Sequence, residues 1–315
     1  MGKFILTWVH MSDLAMPSQR SIFVLLNPAA GQANVETIRQ GMENLCQEHG
    51  WGCEVYETNG QEKLPEVVRS ACESGANLVV AAGGDGTVWA ACNGLVGSQI
   101  PLAILPAGTG NGLARALNVP LQIEAAIDLL AGDCEILEID ALRVGEQYFV
   151  LNVSTGISAR TMQETLPENK QQAGILAYAA TILRDLTDLQ VNVFHLNLDG
   201  HDLRVRAVEV LVSNSKIGSK PPYLFGEREG YQDGLLEVNI LTAEKTGEFI
   251  NLAWELLLDP EASKSNLHEL SVRRSLRLDV EGLPMTVQGD GEVIGETPVE
   301  IQVVPKAVRV LVPKI

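Results

Sequence analysis

Three glycine-rich segments in the first third of the chain have the composition of phosphate-binding loops. They read NPAAGQ at 27–32, GGDGT at 83–87 and PAGTGNG at 106–112. Glycines let backbone N–H groups approach a polyanion closely, and a following helix directs its positive N-terminal end at the same point. Asp85 is the one carboxylate in these three segments, so it is a candidate for organising a metal ion and hydrogen bonds beside bound phosphates.

The established phosphate-binding fingerprints do not match these segments. The sequence contains no G-x-x-x-x-G-K-[ST], and G-x-G-x-x-G fails because Trp89 and Leu113 stand where the third glycine is required. A P-loop ATPase and an ordinary dinucleotide oxidoreductase are therefore disfavoured. An ordinary strand-to-helix turn, in which glycines supply positive φ and Asp85 caps the helix, remains an alternative for GGDGT.

The elements that must position these loops follow a regular alternation. From Ser21 to Gly132, the apolar segments SIFVLL, GCEVYET, NLVVAA and IPLAILP alternate with helical patterns. This alternation predicts an α/β lobe with a parallel sheet, and ligands of such sheets bind outside the C-terminal ends of the strands. All three glycine-rich segments follow a predicted strand, so we expect them to lie at that edge.

The pattern changes after residue 132. Segments such as CEILEIDALRVG and HDLRVRAVEVLVS are β-branched and mostly alternating, which predicts an antiparallel β-sandwich, with helices inserted near 169–189 and 245–259. The predicted fold class is α/β: an N-terminal parallel α/β lobe, then a C-terminal β-sandwich lobe with inserted helices, with a cleft between them. The predicted organisation is an N-terminal extension at 1–20, an α/β domain at 21–132 and a β-rich domain at 133–315.

Composition excludes several classes of function. The chain has 315 residues and a formal charge of −17, which opposes binding to nucleic acid and to anionic membrane surfaces. Its five cysteines are odd in number and never form C-x-x-C, which favours reduced thiols in a cytoplasmic protein over a disulfide frame or a zinc site. No apolar run approaches the ~18 residues of a membrane-spanning helix.

Four motifs in order resemble a known family. The upstream NPxxG, then GGDGT, PxGTGN and a late DGE span Asn27 to Glu292. Together they resemble the diacylglycerol kinase catalytic-domain superfamily, and within it the two-lobed bacterial lipid kinases related to diacylglycerol and sphingosine kinases. GGDGT alone would be ambiguous, because NAD kinases and 6-phosphofructokinases carry similar turns. The resemblance implies an enzyme that moves the γ-phosphoryl group of Mg-ATP to the hydroxyl of a diacylglycerol-like or sphingoid lipid. It also implies that 21–132 is the nucleotide-binding domain and 133–315 the acceptor-binding and catalytic domain.

The resemblance also implies roles for individual residues. In GDGE, Asp290 would be the general base on the acceptor hydroxyl and Glu292 a partner in the metal network, while Asp85 would act near the magnesium. Asp233 and the flanking backbone carbonyls of Tyr231 and Leu235 would hold a structural magnesium ion. The nucleotide site would consist of Asn27, Gly31, Gly83, Gly84, Asp85, Gly86, Thr87, Gly108, Thr109 and Asn111.

Other interpretations of these residues remain open. The Gly-Asp-Gly at Asp290 and the Asp-Gly at Asp233 are also good hairpin turns. The family often has Asp where this chain has Gly112, and Lys or Arg where it has Gln32, so Arg115 or another group must neutralise phosphate charge. These departures keep two alternatives in view: an NAD-kinase-like enzyme, and a nucleotide- or lipid-binding protein without turnover.

The expected partners follow from the same reasoning. We expect a lipid acceptor as substrate, no nucleic acid, and a cytoplasmic protein in transient, peripheral contact with a membrane. Because the negative charge disfavours electrostatic adhesion, contact should occur by shallow apolar insertion or by extraction of single lipid molecules. The sequence leaves open whether the chain forms a homodimer.

Overall fold

The computed structural model describes residues 20–30, 35–159, 190–216, 228–242, 245, 247–248 and 266–314. The predicted N-terminal extension lies outside these ranges apart from Arg20, and so do Gly31 and Gln32 of the first loop. The predicted helix at 169–189 and most of the one at 245–259 also lie outside the described residues.

The N-terminal lobe is built on four parallel strands: β1 (Ser21–Leu26), β2 (Gly52–Glu57), β3 (Leu78–Gly83) and β4 (Leu102–Pro106). They lie side by side in the order β2-β1-β3-β4. All six residues of β3 are buried, as expected for a continuous apolar strand covered on both faces. Five helices accompany them: α1 (Val35–His49), α2 (Leu64–Glu73), α3 (Asp85–Leu95), α4 (Gly112–Ala116) and α5 (Ile123–Leu129).

This strand order gathers the three glycine-rich segments. β1, β3 and β4 are direct neighbours and parallel, so the loops that leave their C-terminal ends emerge at one edge of the sheet. Backbone hydrogen bonds already join these exits, because Asn27 N donates to Ala82 O at 2.9 Å and Ala107 N donates to Gly83 O at 2.9 Å. The predicted clustering of the loops is therefore present.

The C-terminal lobe is an antiparallel sandwich, so the predicted fold class is confirmed. Its described strands are β5 (Cys134–Val144), β6 (Gln147–Phe149), β7 (Asn152–Gly156), β8 (Asn192–Leu198), β9 (His201–Ala207), β10 (Glu209–Ser213), β11 (Leu236–Leu241), β12 (Leu267–Val272), β13 (Ser275–Val280), β14 (Thr286–Gly289), β15 (Glu292–Glu296) and β16 (Val299–Pro313). One layer is a sheet with the strand order β12-β11-β10-β7-β14-β15, and the other contains β16, β13, β8 and β9. Phe194 and Leu196 of one layer pack with Val210 and Val238 of the other in a buried core.

The last strand connects the two lobes. The first half of β16 pairs with β13, whereas Val310 pairs in parallel with Leu102 of β4. Between the halves, the pairing with β5 shifts register between Val304 and Val308, around Lys306 at φ 52°. A bulge of this kind bends a strand, which lets one strand serve both the sandwich and the parallel sheet. The division at residues 132 and 133 stays a prediction.

Among the described residues, no helix has the length and apolar character needed to cross a membrane. All five cysteines lie in the described ranges, and all five are free thiols, as the sequence predicts.

Candidate active site

Helix α3 begins directly in the GGDGT loop. Gly84 precedes it in an extended conformation and Asp85 is its first residue, so the unpaired N–H groups of the first turn face the loop edge of the sheet. Gly86 is exposed, and no atom lies within 4 Å of the position where its Cβ would stand. The helix therefore presents its N-terminal end next to open space, which suits an anionic ligand.

The carboxylate of Asp85 holds the neighbouring loop in place. Its Oδ2 accepts a hydrogen bond from Asn111 N at 3.0 Å, and its Oδ1 accepts one from Gly112 N at 2.6 Å. These bonds connect residues 26 and 27 positions apart in the chain, so they tie the β3–α3 loop to the β4–α4 loop. Each oxygen keeps a free lone pair, which leaves Asp85 able to contact a metal ion as well.

The two loops also touch through glycine backbones. A Cβ atom placed at Gly108 would lie 2.5 Å from the Cα of Gly84, and one at Gly110 would lie 2.5 Å from Asp85 Oδ2. Both glycines are thus required by close approach. Asn111 completes the loop from a left-handed conformation, with its Oδ1 accepting from Gly108 N at 2.9 Å and its Nδ2 donating to Gly108 O at 2.8 Å.

Asn27 and Thr87 connect the first glycine-rich loop to the GGDGT loop. Thr87 is 3% exposed, its side chain packs against Gly83, and its hydroxyl accepts a hydrogen bond from Asn27 Nδ2 at 3.3 Å. Asn27 Oδ1 in turn accepts from Ala29 N at 3.0 Å. These contacts position the first loop against the second, while direct contact of either side chain with phosphate stays a prediction.

Asp290 occupies the turn between β14 and β15 in the other lobe. It has φ 48°, and its carboxylate accepts from three consecutive backbone N–H groups: Val150 to Oδ2 at 2.8 Å, and Leu151 and Asn152 to Oδ1, both at 2.9 Å. A carboxylate offers about four lone pairs. Oδ1 uses two lone pairs for these hydrogen bonds, and Oδ2 uses one. Oδ2 therefore keeps one lone pair that can accept a proton.

Burial, with a smaller contribution from the negative charge of Asp85, raises the pKa of Asp290 to about 6, against the lowering effect of its three N–H donors. Asp199 shows what the same turn does elsewhere: it has φ 52° and accepts from three N–H groups of residues 273–275. Slight burial raises the pKa of Asp199, but the three N–H donors and the positive charge of Arg274 lower it by more, so the pKa lies below its ordinary value.

Aromatic packing joins helix α3 to the strand that carries Asp290. The rings of Trp89 and Phe149 stack with 6.4 Å between centroids, and a Cβ atom at Gly289 would lie 2.5 Å from the Phe149 ring. Gly289 is therefore needed for the ring to approach. This contact fixes the Asp290 turn relative to the GGDGT helix.

The remaining predicted site residues have different surroundings. Glu292 is exposed at the start of β15, two residues beyond Asp290. Asp233 accepts from Leu235 N through Oδ1 at 2.9 Å, and Gly234 N donates to the buried Asp140 at 2.7 Å. Tyr231 is 2% exposed, and its pKa is raised by burial and by the charge of Asp290.

The predicted magnesium roles of these residues stay predictions. Within the described part of the chain, no three side chains of His, Cys, Asp or Glu converge as a metal-binding group. Mg²⁺ is usually held by one or two carboxylates together with substrate phosphates rather than by a cage of side chains. The carboxylate of Asp85, beside the open N-terminal end of α3, fits that donor set.

A buried polar group behind Asp290 is not predicted from the sequence. Glu209 is 8% exposed at the start of β10, and burial raises its pKa to about 7 although the hydroxyl and backbone N–H of Ser158 oppose the shift. Gln288, two residues before Asp290, is 5% exposed. The available signal in the sequence is weak: Glu209 interrupts an apolar strand in AVEVLVS.

Comparison with known proteins agrees with this two-lobed arrangement. The diacylglycerol kinase catalytic domain matches residues 21–144, and the YegS C-terminal NAD kinase beta sandwich-like domain matches residues 151–312. A diacylglycerol kinase of Mycobacterium tuberculosis (strain H37Rv) is 27% identical over 301 residues, covering 93% of this chain and 95% of that protein. A Pseudomonas fluorescens protein named "Probable lipid kinase YegS-like" is 30% identical over 280 residues, covering 87% of this chain and 91% of that protein.

Solved structures show the same fold. The crystal structure of a diacylglycerol kinase from Bacillus anthracis str. Sterne superposes with a TM-score of 0.72 at 22% identity, covering 92% of this chain and 96% of that one. These comparisons identify a two-lobed kinase, in which the glycine-rich loop edge lies in one lobe and the carboxylate of Asp290 in the other. The chain belongs to the diacylglycerol kinase catalytic-domain family, in its YegS-like lipid kinase branch. The resemblance stated from the four motifs is confirmed.

Proposed function

We propose that this protein transfers the γ-phosphoryl group of Mg-ATP to the hydroxyl of a lipid acceptor, of the diacylglycerol-like or sphingoid kind. The observation that supports the proposal is a packing contact between the lobes: Trp89 of α3, the helix that begins in GGDGT, stacks on Phe149, and the next three residues, 150–152, hold the carboxylate of Asp290. Phosphoryl transfer requires positioning, charge neutralisation and an acceptor in line with the phosphate.

In this proposal, the loop edge binds ATP. The first-turn N–H groups of α3 and the backbone of the Gly108–Asn111 loop receive the phosphates, and Asp85 keeps the two loops at the spacing that the phosphates need. When bound, Mg²⁺ would supply neutralising positive charge, and Asp85 is the residue of this edge that would hold it. The metal network of Glu292 and the site around Asp233 belong to the same proposal.

Arg115 is the protein cation that we assign to the phosphates. It lies on α4 directly after the PAGTGNG loop, and its Nε donates to Gly110 O at 2.8 Å. Within the described ranges, its two terminal nitrogens make no hydrogen bond, so they are available for phosphate oxygens. This would compensate for the uncharged Gln32, where the family often has Lys or Arg.

Asp290 acts as the general base. Its Oδ2 accepts a proton from the acceptor hydroxyl as that oxygen attacks the γ-phosphorus, while the N–H groups of residues 150–152 hold the carboxylate still. A hydroxyl loses its proton late in a loose phosphoryl-transfer transition state, so a carboxylate within hydrogen-bond reach is a sufficient base.

The direct test uses γ-labelled ATP and magnesium with diacylglycerol, monoacylglycerol, sphingosine, ceramide and NAD in mixed micelles. Label in one lipid identifies the acceptor. Label in NAD instead would make this an NAD-kinase-like enzyme, and ATP binding without any labelled product would favour a binding protein without turnover.

Two glycine substitutions separate ATP binding from folding. Gly86→Ala places a methyl group in the open space at the start of α3, so we expect about a 10-fold or larger rise in the KM for ATP with an unchanged or slightly higher free energy of unfolding. Gly108→Ala forces its Cβ against the Gly84 backbone and should lower the free energy of unfolding by about 1–3 kcal/mol. Steady-state kinetics and urea unfolding measure both.

The comparison has a clear failing outcome. If Gly86→Ala folded normally and left the KM for ATP unchanged, phosphates would not lie against the first turn of α3. If Gly108→Ala unfolded like the wild-type protein, the two loops would not be in backbone contact.

The dependence of the rate on pH should follow the ionisation of the Asp290 carboxyl group. Because the ionised carboxylate is the active form and its pKa is raised to about 6, kcat/KM for the acceptor should rise with pH through about 6 and then level off. Below that midpoint the rate should fall about tenfold per pH unit. A pH profile measured at saturating ATP provides the test, and a midpoint near the ordinary aspartate value of about 3.9 would contradict this role.

We further propose that the protein is cytoplasmic and contacts membranes transiently without requiring anionic lipids. The net charge of −17 opposes electrostatic adhesion, and Leu283, 86% exposed in the loop before β14, is available for shallow insertion. We expect binding in vesicle flotation to be equal or weaker when the anionic lipid content increases. Stronger binding with increasing anionic lipid would exclude this mode of contact.

A further inference from the structure

A line of buried polar side chains extends from the Asp290 turn into the second sheet. Ser154 on β7 is 1% exposed, and Gln288 on β14 and Glu209 on β10 are 5% and 8% exposed. These three strands are neighbours in the order β10-β7-β14. Buried polar groups need partners, because an unsatisfied one destabilises the fold by about 1–3 kcal/mol.

Each of these side chains has partners, and together they form one connected chain. Gly291 N donates to Gln288 Oε1 at 2.9 Å, and Gln288 Nε2 donates to Ser154 Oγ at 2.7 Å and to Asn152 Oδ1 at 2.9 Å. The hydroxyl of Ser154 contacts the hydroxyl of Ser158, which hydrogen bonds to the carboxylate of Glu209. We call these five side chains the Glu209 network: Asn152, Ser154, Ser158, Glu209 and Gln288. The network reaches the Asp290 turn through Gly291 N and through Asn152, whose own N–H binds Asp290.

The hydrogens of the Glu209 network run in one direction. Gln288 must turn its oxygen toward Gly291 N–H, so its Nε2 is the donor to Ser154. Ser154 can then give its own hydrogen to Ser158, and Ser158 gives its hydrogen to Glu209. An ionised carboxylate accepts only, so it is the group that can end this series.

We propose that Glu209 is a positioning residue for the reaction at Asp290, an inference that rests on the proposed function. Its carboxylate fixes the orientation of both serine hydroxyls and, through them, of the Gln288 amide. The oriented amide holds Gly291 N and the Asn152 side chain, and Asn152 N is one of the donors that fix Asp290. Glu209 contacts no reacting atom in this scheme.

Two substitutions interrupt the Glu209 network. Glu209→Gln keeps the size of the side chain, but one amide oxygen cannot accept from both Ser158 N–H and the Ser158 hydroxyl. Its NH₂ group must face either the N–H, which now donates to Oε2 at 3.0 Å, or the hydroxyl, whose hydrogen it would turn away. Ser154→Ala removes the middle of the series and leaves Glu209 intact, so it serves if Glu209→Gln folds poorly. Thr155→Val is the matched control, because Thr155 is fully buried on the opposite face of β7 and its hydroxyl donates to Thr286 O at 2.8 Å, outside the network.

The experiment combines amide hydrogen exchange with kinetics on the full-length chain. We expect Glu209→Gln and Ser154→Ala to increase exchange in peptides containing residues 150–152 and 290–291, and to lower kcat by about 10- to 100-fold. The KM for ATP should stay within about twofold, because ATP binds to the other lobe. Thr155→Val should leave exchange at the turn and kcat unchanged even if its melting temperature falls.

Exchange at the turn that is unchanged in both network variants would overturn the inference, as would a normal kcat in a variant whose turn exchanges faster. A wild-type protein that phosphorylates no acceptor would instead overturn the proposed function. Exchange alone would then decide whether Glu209 holds the turn.

Discussion

Replacing Asp290 with asparagine is expected to lower kcat by about 10²- to 10⁴-fold while ATP still binds. The kcat should fall because an amide at position 290 cannot accept the proton of the acceptor hydroxyl. ATP should still bind because residue 290 lies in the lobe opposite the loops to which we assign the phosphates. Initial rates with the best acceptor give kcat, and calorimetry with ATP gives the affinity. Turnover within a factor of about two of wild type would mean that another group is the base.

This substitution also perturbs the turn, and the effect must be separated from the chemistry. In Asp290→Asn, the new amide oxygen could accept from Leu151 and Asn152, but the NH₂ group would face Val150 N–H. We expect the free energy of unfolding to fall by about 1–3 kcal/mol for that reason.

Asp199→Asn is the matched control for this loss. Asp199 precedes a glycine in a left-handed turn and binds three backbone N–H groups, as Asp290 does. A similar loss of stability with a normal kcat is expected there. If both variants lost activity in proportion to their stability, Asp290 would be a turn residue and no more.

The contrast between these two aspartates shows what sequence alone leaves open. Both stand in Asp-Gly turns between strands, and the local pattern gives each the same prediction. Their pKa values shift in opposite directions because Asp290 is buried among residues about 140 positions away, which raises its pKa, whereas Asp199 is close to the surface and its N–H donors and Arg274 lower its pKa. Only the family resemblance distinguished them before the structure was considered.

Long-range contacts also account for the other features that sequence reasoning missed. The glycine-rich loops were predicted to converge because parallel strands impose that arrangement. Asp85 holds a loop that follows a different strand from its own. The Glu209 network joins three strands. The bulge at Lys306, after which β16 reaches β4, depends on the pairing of β16 with β5. A periodic pattern predicts the face that a residue occupies on its own element, and it contains no information about partners on other elements.

The second large effect is expected at Asp85. Asp85→Ala removes the acceptor for both Asn111 N and Gly112 N, and Asp85→Asn retains an oxygen for one of them. We expect the KM for ATP to rise by about 10- to 100-fold in the alanine variant and less in the asparagine variant, since loop displacement on the order of 1 Å is costly for positioning. The free energy of unfolding should fall in the same order, by about 1–3 kcal/mol for alanine.

Glu66→Ala is the control for the charge at a helix start. Glu66 lies in the first turn of α2, as Asp85 does in α3, and its side chain forms an exposed ion pair with Lys63. It should therefore show only the small effect of losing a favourable helix-terminal charge, about 0.3–1 kcal/mol, with normal kinetics. Equal effects of Asp85→Ala and Glu66→Ala on the KM for ATP would contradict the role of Asp85 in holding the two loops together.

Asp85→Asn should also move the acid limb of the rate. The negative charge of Asp85 raises the pKa of Asp290, so its removal should lower that pKa and shift the midpoint of the kcat/KM profile to a lower pH. The loss of a loop contact alone would reduce the rate equally at every pH. A reduced rate with an unchanged midpoint would therefore mean that Asp85 only holds the two loops together. A midpoint shifted to lower pH would establish that the two carboxylates face each other across the cleft.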